Sequence, residues 1–181
     1  VDVTPDVLVK AIKDVLTDQK TQITSQEAGT IFTGLQEEMK GKRQESMKVL
    51  GEKNKTEGEA FLAENMKKEG VKSLPSGLQY KVINEGKGKS PSATDTVTVQ
   101  YTGRLVDGTE FDSSYKRGEA ATFALNGVIK GWTEALQLMK EGSKYKFYIP
   151  YTLAYGERGY PGAIPPKSDL IFEVELIKIN Q

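Results

Sequence analysis

Apolar positions recur along the chain with two different periods, and the change falls at Leu74-Pro75-Ser76-Gly77. Before it the spacing is helical. Val7, Leu8, Ala11, Ile12, Val15 and Leu16 form one stripe. Thr4-Pro5-Asp6 opens it with a hydroxyl N-cap, a proline at the first helical position and an acid at the positive helix end. A second start, Thr24-Ser25-Gln26-Glu27, fits a capping box, with Ile23 placed to staple the entry. From residue 25 to about 69 no proline interrupts the pattern, and Gly29, Gly34, Gly41, Gly51 and Gly58 each weaken a helix by about 1 kcal/mol relative to alanine without ending it. A continuous helix would run on the order of 65 Å at 1.5 Å per residue. Glu38 with Lys42, and Glu64 with Lys68, are favourable i,i+4 pairs.

The apolar content of this long segment is uneven. Ala28, Ile31, Phe32, Leu35 and Met39 make a stripe that Met47 and Leu50 extend thinly; Phe61, Leu62 and Met66 resume it. Residues 51–60 between them are almost wholly polar. A helix polar all round has nothing packed on it, which predicts a solvent-crossing stalk. Two helices joined near Gly51 or Gly58 are the alternative. Two helices make a thin core, so the stripes ask for a partner, and a second copy of the chain is the economical one. A preceding segment of the same protein would also serve.

After Gly77 the period becomes two. Leu78 to Val82, Thr96 to Tyr101, Lys144 to Pro150 and the closing run from Leu170 to Ile179 alternate as half-buried strands. Asp107-Gly108, between Leu105 and Phe111, is a hairpin signal. Residues 131–139, with Trp132, Ala135, Leu136 and Met139 on one face, are the helix this half needs. The reading is α+β: residues 1–75 form a helical module with a long connecting helix, and residues 76–181 an antiparallel sheet wrapped on one short helix.

Composition narrows the chemistry. Lys+Arg and Asp+Glu balance at 25 each, and no run exceeds two basic residues, so no nucleic-acid footprint is expected. No stretch has the apolar length to insert in a membrane. Cysteine and histidine are both absent. That removes thiol nucleophiles, the usual general base and the commonest metal ligand. No metal and no cofactor are expected, and catalysis must rest on carboxylates, tyrosines, backbone amides or desolvation. The first residue is Val1, which suggests a processed or trimmed chain.

Five segments then occur together and in order: Val99-Gln100-Tyr101-Thr102-Gly103; Asp107-Gly108-Thr109-Glu110-Phe111-Asp112-Ser113-Ser114; Val128-Ile129-Lys130-Gly131-Trp132; the stretch from Leu153-Ala154-Tyr155-Gly156 through Tyr160-Pro161-Gly162-Ala163-Ile164-Pro165-Pro166; and Leu170-Ile171-Phe172-Glu173-Val174-Glu175-Leu176. Together they resemble the FKBP family of peptidyl-prolyl cis/trans isomerases. With the helical half and the Leu74–Tyr80 junction, they are similar to its bacterial macrophage-infectivity-potentiator and periplasmic branch, in which a helical dimerisation module carries the isomerase domain. The resemblance implies a protein-folding enzyme acting on proline-containing polypeptides and open to macrolides such as rapamycin. It also implies a homodimer, a role in virulence, and residence in the periplasm or on the outer surface of a Gram-negative cell, with the cytoplasm as alternative.

Carried over residue by residue, the resemblance implies a catalytic pocket of Tyr101, Phe111, Asp112, Trp132, Tyr155 and Phe172, with Trp132 as its floor. It implies substrate or macrolide contacts from Arg117, Phe123, Val128, Ile129, Tyr160 and Ile164. The Ile129 N–H and the Tyr155 O–H would donate to substrate carbonyls, Asp112 would orient Tyr101, and Arg117 would be its ionic partner. Two positions depart from the pattern: Ala121 stands where many members carry an aromatic rim residue, and Tyr160 where histidine is common. Taken singly, each aromatic would read as core and Asp112 as a turn cap. A non-catalytic holdase using the same cleft, or a docking module with a dead pocket, are the rival functions.

Overall fold

The protein is described by a computed structural model over residues 5–17 and 25–180. The chain divides into two compact units, Val1–Glu45 and Ser46–Gln181.

In the first unit, α1 spans Pro5–Leu16, and α2 begins at Ser25 and runs on to Asn65 as one helix rather than two. The caps assigned to Thr4 and Thr24, the staple at Ile23 and the side chains of Val7 and Leu8 lie outside the described residues. Ile12, Val15, Ile31, Phe32 and Met39 are all exposed on these helices. Lys10 pairs with Asp14 at 2.9 Å and Lys42 with Glu38 at 2.7 Å, each along its own helix.

The second unit holds a seven-stranded antiparallel sheet: β1 (Val71–Ser73), β2 (Gln79–Asn84), β3 (Thr96–Leu105), β4 (Glu110–Ser113), β5 (Ala121–Ala124), β6 (Lys144–Ile149) and β7 (Leu170–Asn180). The strands lie in the order β1-β2-β6-β7-β3-β4, with β5 on β3. The Asp107-Gly108 hairpin forms as its residues dictate: Gly108 takes φ 90° and the Asp107 carboxylate accepts the Thr109 amide at 2.8 Å. Alternation sends Val97, Val99 and Tyr101 of β3, and Leu170, Phe172, Val174 and Leu176 of β7, into one core. Helix α4 (Lys130–Leu136) closes that core with Trp132, Ala135 and Leu136. Each fully buried large apolar side chain contributes about 1.5–3 kcal/mol. A four-residue helix, α3 (Ser114–Arg117), joins β4 to β5; Ser113 caps its start and Gly118, at φ 77°, ends it.

The polar segment of α2 is not a free stalk. Gly51, Asn54, Gly58, Phe61 and Asn65 recur at the three- and four-residue spacing of one helix face, and that face packs on the sheet unit. A Cβ at Gly58 would meet the Asp169 carboxylate, and one at Gly51 would lie 3.2 Å from Pro166 Cβ. Asn54 Nδ2 donates to the Pro166 carbonyl at 2.9 Å, and Phe61 packs on Tyr148 with centroids 5.9 Å apart. The helix ends where β2 supplies its cap: Gln79 Nε2 donates to the Leu62 carbonyl and Asn65 Nδ2 to Gln79 Oε1, each at 2.9 Å. Because the helix stops at Asn65, Lys68 lies beyond it and cannot make the i,i+4 pair expected with Glu64. Lys67 takes that carboxylate at 2.7 Å, and Lys68 sits over the Phe61 ring.

Candidate active site

A cleft of ≈ 510 Å³ opens between the sheet and the start of α4. Strand register builds one side of it. Tyr101 points into the core from β3, Phe172 faces Gly103 across the β3–β7 ladder, and Phe111 comes from β4. Gly103 is what lets these rings meet: a Cβ there would lie 2.7 Å from both Phe111 Cζ and Phe172 Cε1. The two rings meet edge to face at 5.6 Å.

Trp132, in the first turn of α4, forms the floor. Its indole meets Tyr101, Phe172 and Phe123 at 5.1, 5.2 and 5.4 Å, with interplanar angles of 90°, 82° and 87°. Edge-to-face pairs of this kind hold ring orientation as well as burying area. The Trp132 Nε1–H is buried and has no acceptor among the described residues. Val128 and Ile129 enter from the turn before α4, and Tyr155 from the loop after β6.

One edge of the cleft is polar. The Tyr101 hydroxyl donates to Asp112 Oδ2, Arg117 Nη1 pairs with Asp112 Oδ1, and Arg117 Nη2 donates to the Tyr101 hydroxyl at 2.9 Å. The guanidinium lies 5.5 Å from the Tyr101 ring centroid. The α3 turn, capped at both ends, is what returns Arg117 to this position. Desolvation alone raises the Asp112 pKa, but hydrogen bonds from Tyr101 and Arg117, with the arginine charge, outweigh it and hold the carboxyl below its ordinary value. Burial, then the Asp112 hydrogen bond, push the Tyr101 phenol up against the opposing pull of Arg117. Burial, then the Asp112 charge, push Tyr155 up as well. Near neutral pH the edge therefore presents a carboxylate and two intact phenols.

Nine of the twelve residues expected from the sequence line this cleft: Tyr101, Phe111, Asp112, Phe123, Val128, Ile129, Trp132, Tyr155 and Phe172. Arg117 stands behind Asp112 and Tyr101. Tyr160 is 57% exposed with its ring 5.7 Å from Tyr155, and Ile164 is buried in the core and bridged to Tyr160. Ala121 lies in β5 opposite Val99. Gly127 also lines the cleft; as a glycine in a polar turn it carried no signal of its own. Among the described residues there is no cluster of acidic side chains able to hold a metal ion, and no helix long and apolar enough to cross a membrane.

Comparison with known proteins agrees with this geometry. Residues 87–177 match the family described as FKBP-type peptidyl-prolyl cis-trans isomerase, and residues 1–82 match the domain amino-terminal to it. The chain is 44% identical to the outer membrane protein MIP of Legionella longbeachae over 181 residues, covering all of this chain and 78% of the relative. It is 47% identical to the FKBP-type 22 kDa peptidyl-prolyl cis-trans isomerase of Escherichia coli over 175 residues, 97% of this chain and 83% of that one. The crystal structure of Escherichia coli FkpA superposes with a TM-score of 0.82 at 39% identity, covering 99% of this chain and 84% of that chain. A matching catalytic region, a matching amino-terminal region and full-length relatives agree: the chain belongs to the FKBP-type peptidyl-prolyl cis-trans isomerases.

Proposed function

We propose that the cleft over Trp132 is the prolyl site of this isomerase, and that it also accepts macrolides such as rapamycin. The observation that carries the proposal is the indole floor held edge-on by three aromatic rings beside one polar edge. Rotation about an Xaa-Pro bond breaks amide resonance against a barrier of about 18–20 kcal/mol. It needs no proton transfer and no covalent intermediate, which suits a chain without cysteine or histidine. The planar amide is the more polar form, so an apolar cavity favours the twisted one. Proline's ring would rest on Trp132 and Phe172 while the preceding carbonyl swings. The Ile129 N–H and the Tyr155 O–H would donate to substrate carbonyls. Asp112, held ionised, would orient Tyr101 rather than act as a base.

The exposed apolar side chains of the first unit, among them Ile12, Ile31, Phe32 and Met39, support its role as a dimerisation module for a second copy. The relatives' names support residence in the periplasm or on the outer surface of a Gram-negative cell. Tyr155 at the cleft and Tyr160 beside it, both exposed with their rings 5.7 Å apart, favour one further use of the same surface, holding unfolded chains.

The test is cis-to-trans exchange of a short Xaa-Pro peptide at catalytic protein concentration, with and without rapamycin. Uncatalysed exchange takes tens to hundreds of seconds, so acceleration is easily resolved. Turnover abolished by the macrolide, by Trp132→Ala and reduced by Tyr155→Phe is the expected result. Normal turnover in both variants would sink the assignment, and aggregation suppression that survives in them would place holding elsewhere.

A further inference from the structure

Lys167 lies outside the cleft, yet it is the one non-glycine residue among the described residues with a left-handed backbone, at φ 52°. Lysine adopts that conformation only where the surroundings over-determine it, and such outliers concentrate at functional sites. The surroundings here are specific. The Lys167 side chain is 15% exposed, and its ammonium reaches Glu52 of α2 at 2.6 Å and Glu157 at 2.9 Å. Its amide N–H donates to the Gly156 carbonyl at 3.1 Å, and the Gly156 amide donates to the Tyr151 carbonyl at 2.9 Å. Gly156 and Glu157 directly follow Tyr155, the cleft wall. Asn54 secures the adjoining Pro166 carbonyl to the same face of α2.

We propose that Lys167 is a positioning residue for the isomerase site: by joining Glu52 of α2 to Glu157 and Gly156 of the cleft loop, it fixes Tyr155 in place. The proposal rests on the reading of the cleft as the prolyl site. It has a consequence that a plain surface ion pair lacks. Exposed pairs contribute little to stability, so an ornamental one leaves turnover untouched, whereas a misplaced contact group lowers it. Glu52, which touches nothing in the cleft, then influences catalysis.

The experiment compares Lys167→Met, which keeps the stem and removes the ammonium, with Lys167→Arg, Glu52→Gln, Glu157→Gln and Trp132→Ala in the full chain. The readouts are kcat/KM on an Xaa-Pro peptide well below the unfolding transition and amide hydrogen exchange at Gly156, Tyr160 and Ile164. Lys167→Met is expected to lower kcat/KM about three- to tenfold and to speed exchange at those amides, with arginine restoring both to within about twofold. Glu52→Gln and Glu157→Gln are expected to lower kcat/KM in the same direction, and they carry the test if the methionine variant does not fold. Unchanged turnover in the lysine and glutamate variants, beside an inactive Trp132→Ala, would overturn the clamp and leave the cleft standing. A fully active Trp132→Ala would overturn the reading of the cleft itself.

Discussion

Helix α2 behaves in opposite ways along its length. Between residues 25 and 45 it carries Ile31, Phe32 and Met39 and leaves them 60%, 60% and 62% exposed. Between residues 51 and 65 it carries glycine and asparagine on one face, and Gly51, Gly58 and Asn65 of that face are buried. Apolar content marks burial only when the partner surface is apolar. The partner of the second stretch is a polar loop: the Pro166 carbonyl, the Lys167 ammonium and the Asp169 carboxylate. Small residues let backbone approach backbone there, and amides supply the hydrogen bonds. The apolar stretch, conversely, is exposed, as the dimerisation role proposed above requires.

The seam's most consequential member is Asp169. It is buried, its Oδ1 accepts the Tyr151 amide at 2.7 Å, and Gly58 covers its other side. Burial pushes its pKa up to about 6, the Tyr151 hydrogen bond opposing and the Glu59 charge adding to the rise. The folded-state value lies above that of an unfolded aspartate, so the fold binds the proton more tightly. Stability from this group is greatest below the ordinary carboxylate range and falls as pH rises through about 6. Asp169→Asn keeps an acceptor for Tyr151 and removes the charge. It should raise stability at neutral pH by as much as about 3 kcal/mol and flatten that pH dependence. Denaturant unfolding of both proteins across that range decides it; parallel curves would mean the carboxylate is already compensated.

A matched pair of substitutions separates the two stretches next. At Gly34 an added Cβ meets nothing, so Gly34→Ala should strengthen the helix by about 1 kcal/mol. At Gly58 the same methyl meets the Asp169 carboxylate, and overpacking should cost about 1–3 kcal/mol despite the helix gain. Local stability by hydrogen exchange reads both, and equal signs would erase the distinction. Asn65→Ala should cost about 1–2 kcal/mol, because it leaves the buried Gln79 carbonyl without its donor. The smallest effect is Glu38→Gln, whose exposed pair with Lys42 should leave denaturant unfolding almost unchanged at low salt and wholly unchanged at high salt.

These contrasts show what was legible in the sequence. Strands β2, β3, β6 and β7, helix α4 and the Asp107-Gly108 hairpin follow from period and turn chemistry, because each has one wholly apolar face or a glycine with one use. The cleft residues were legible only jointly. Phe111 and Trp132 look like ordinary core singly, and five ordered segments gave them a common place. The seam was illegible for a physical reason: Gly51, Asn54, Gly58 and Asn65 carry no hydrophobic signal, so the rule that reads burial from apolarity assigned them to solvent. Lys167 was hidden similarly, since nothing in a lysine announces a positive φ. The short β1 and β5 strands have too few residues to display a period.

The central claim is that prolyl peptides bind over Trp132. As the chain's single tryptophan, it gives one indole N–H resonance, which can be followed while an Xaa-Pro peptide is titrated under conditions of active turnover. A saturable shift of that resonance, with exchange cross-peaks between cis and trans peptide, is the predicted result. Exchange that proceeds while the indole resonance stays unmoved would contradict the claim and place the isomerase chemistry elsewhere on the molecule.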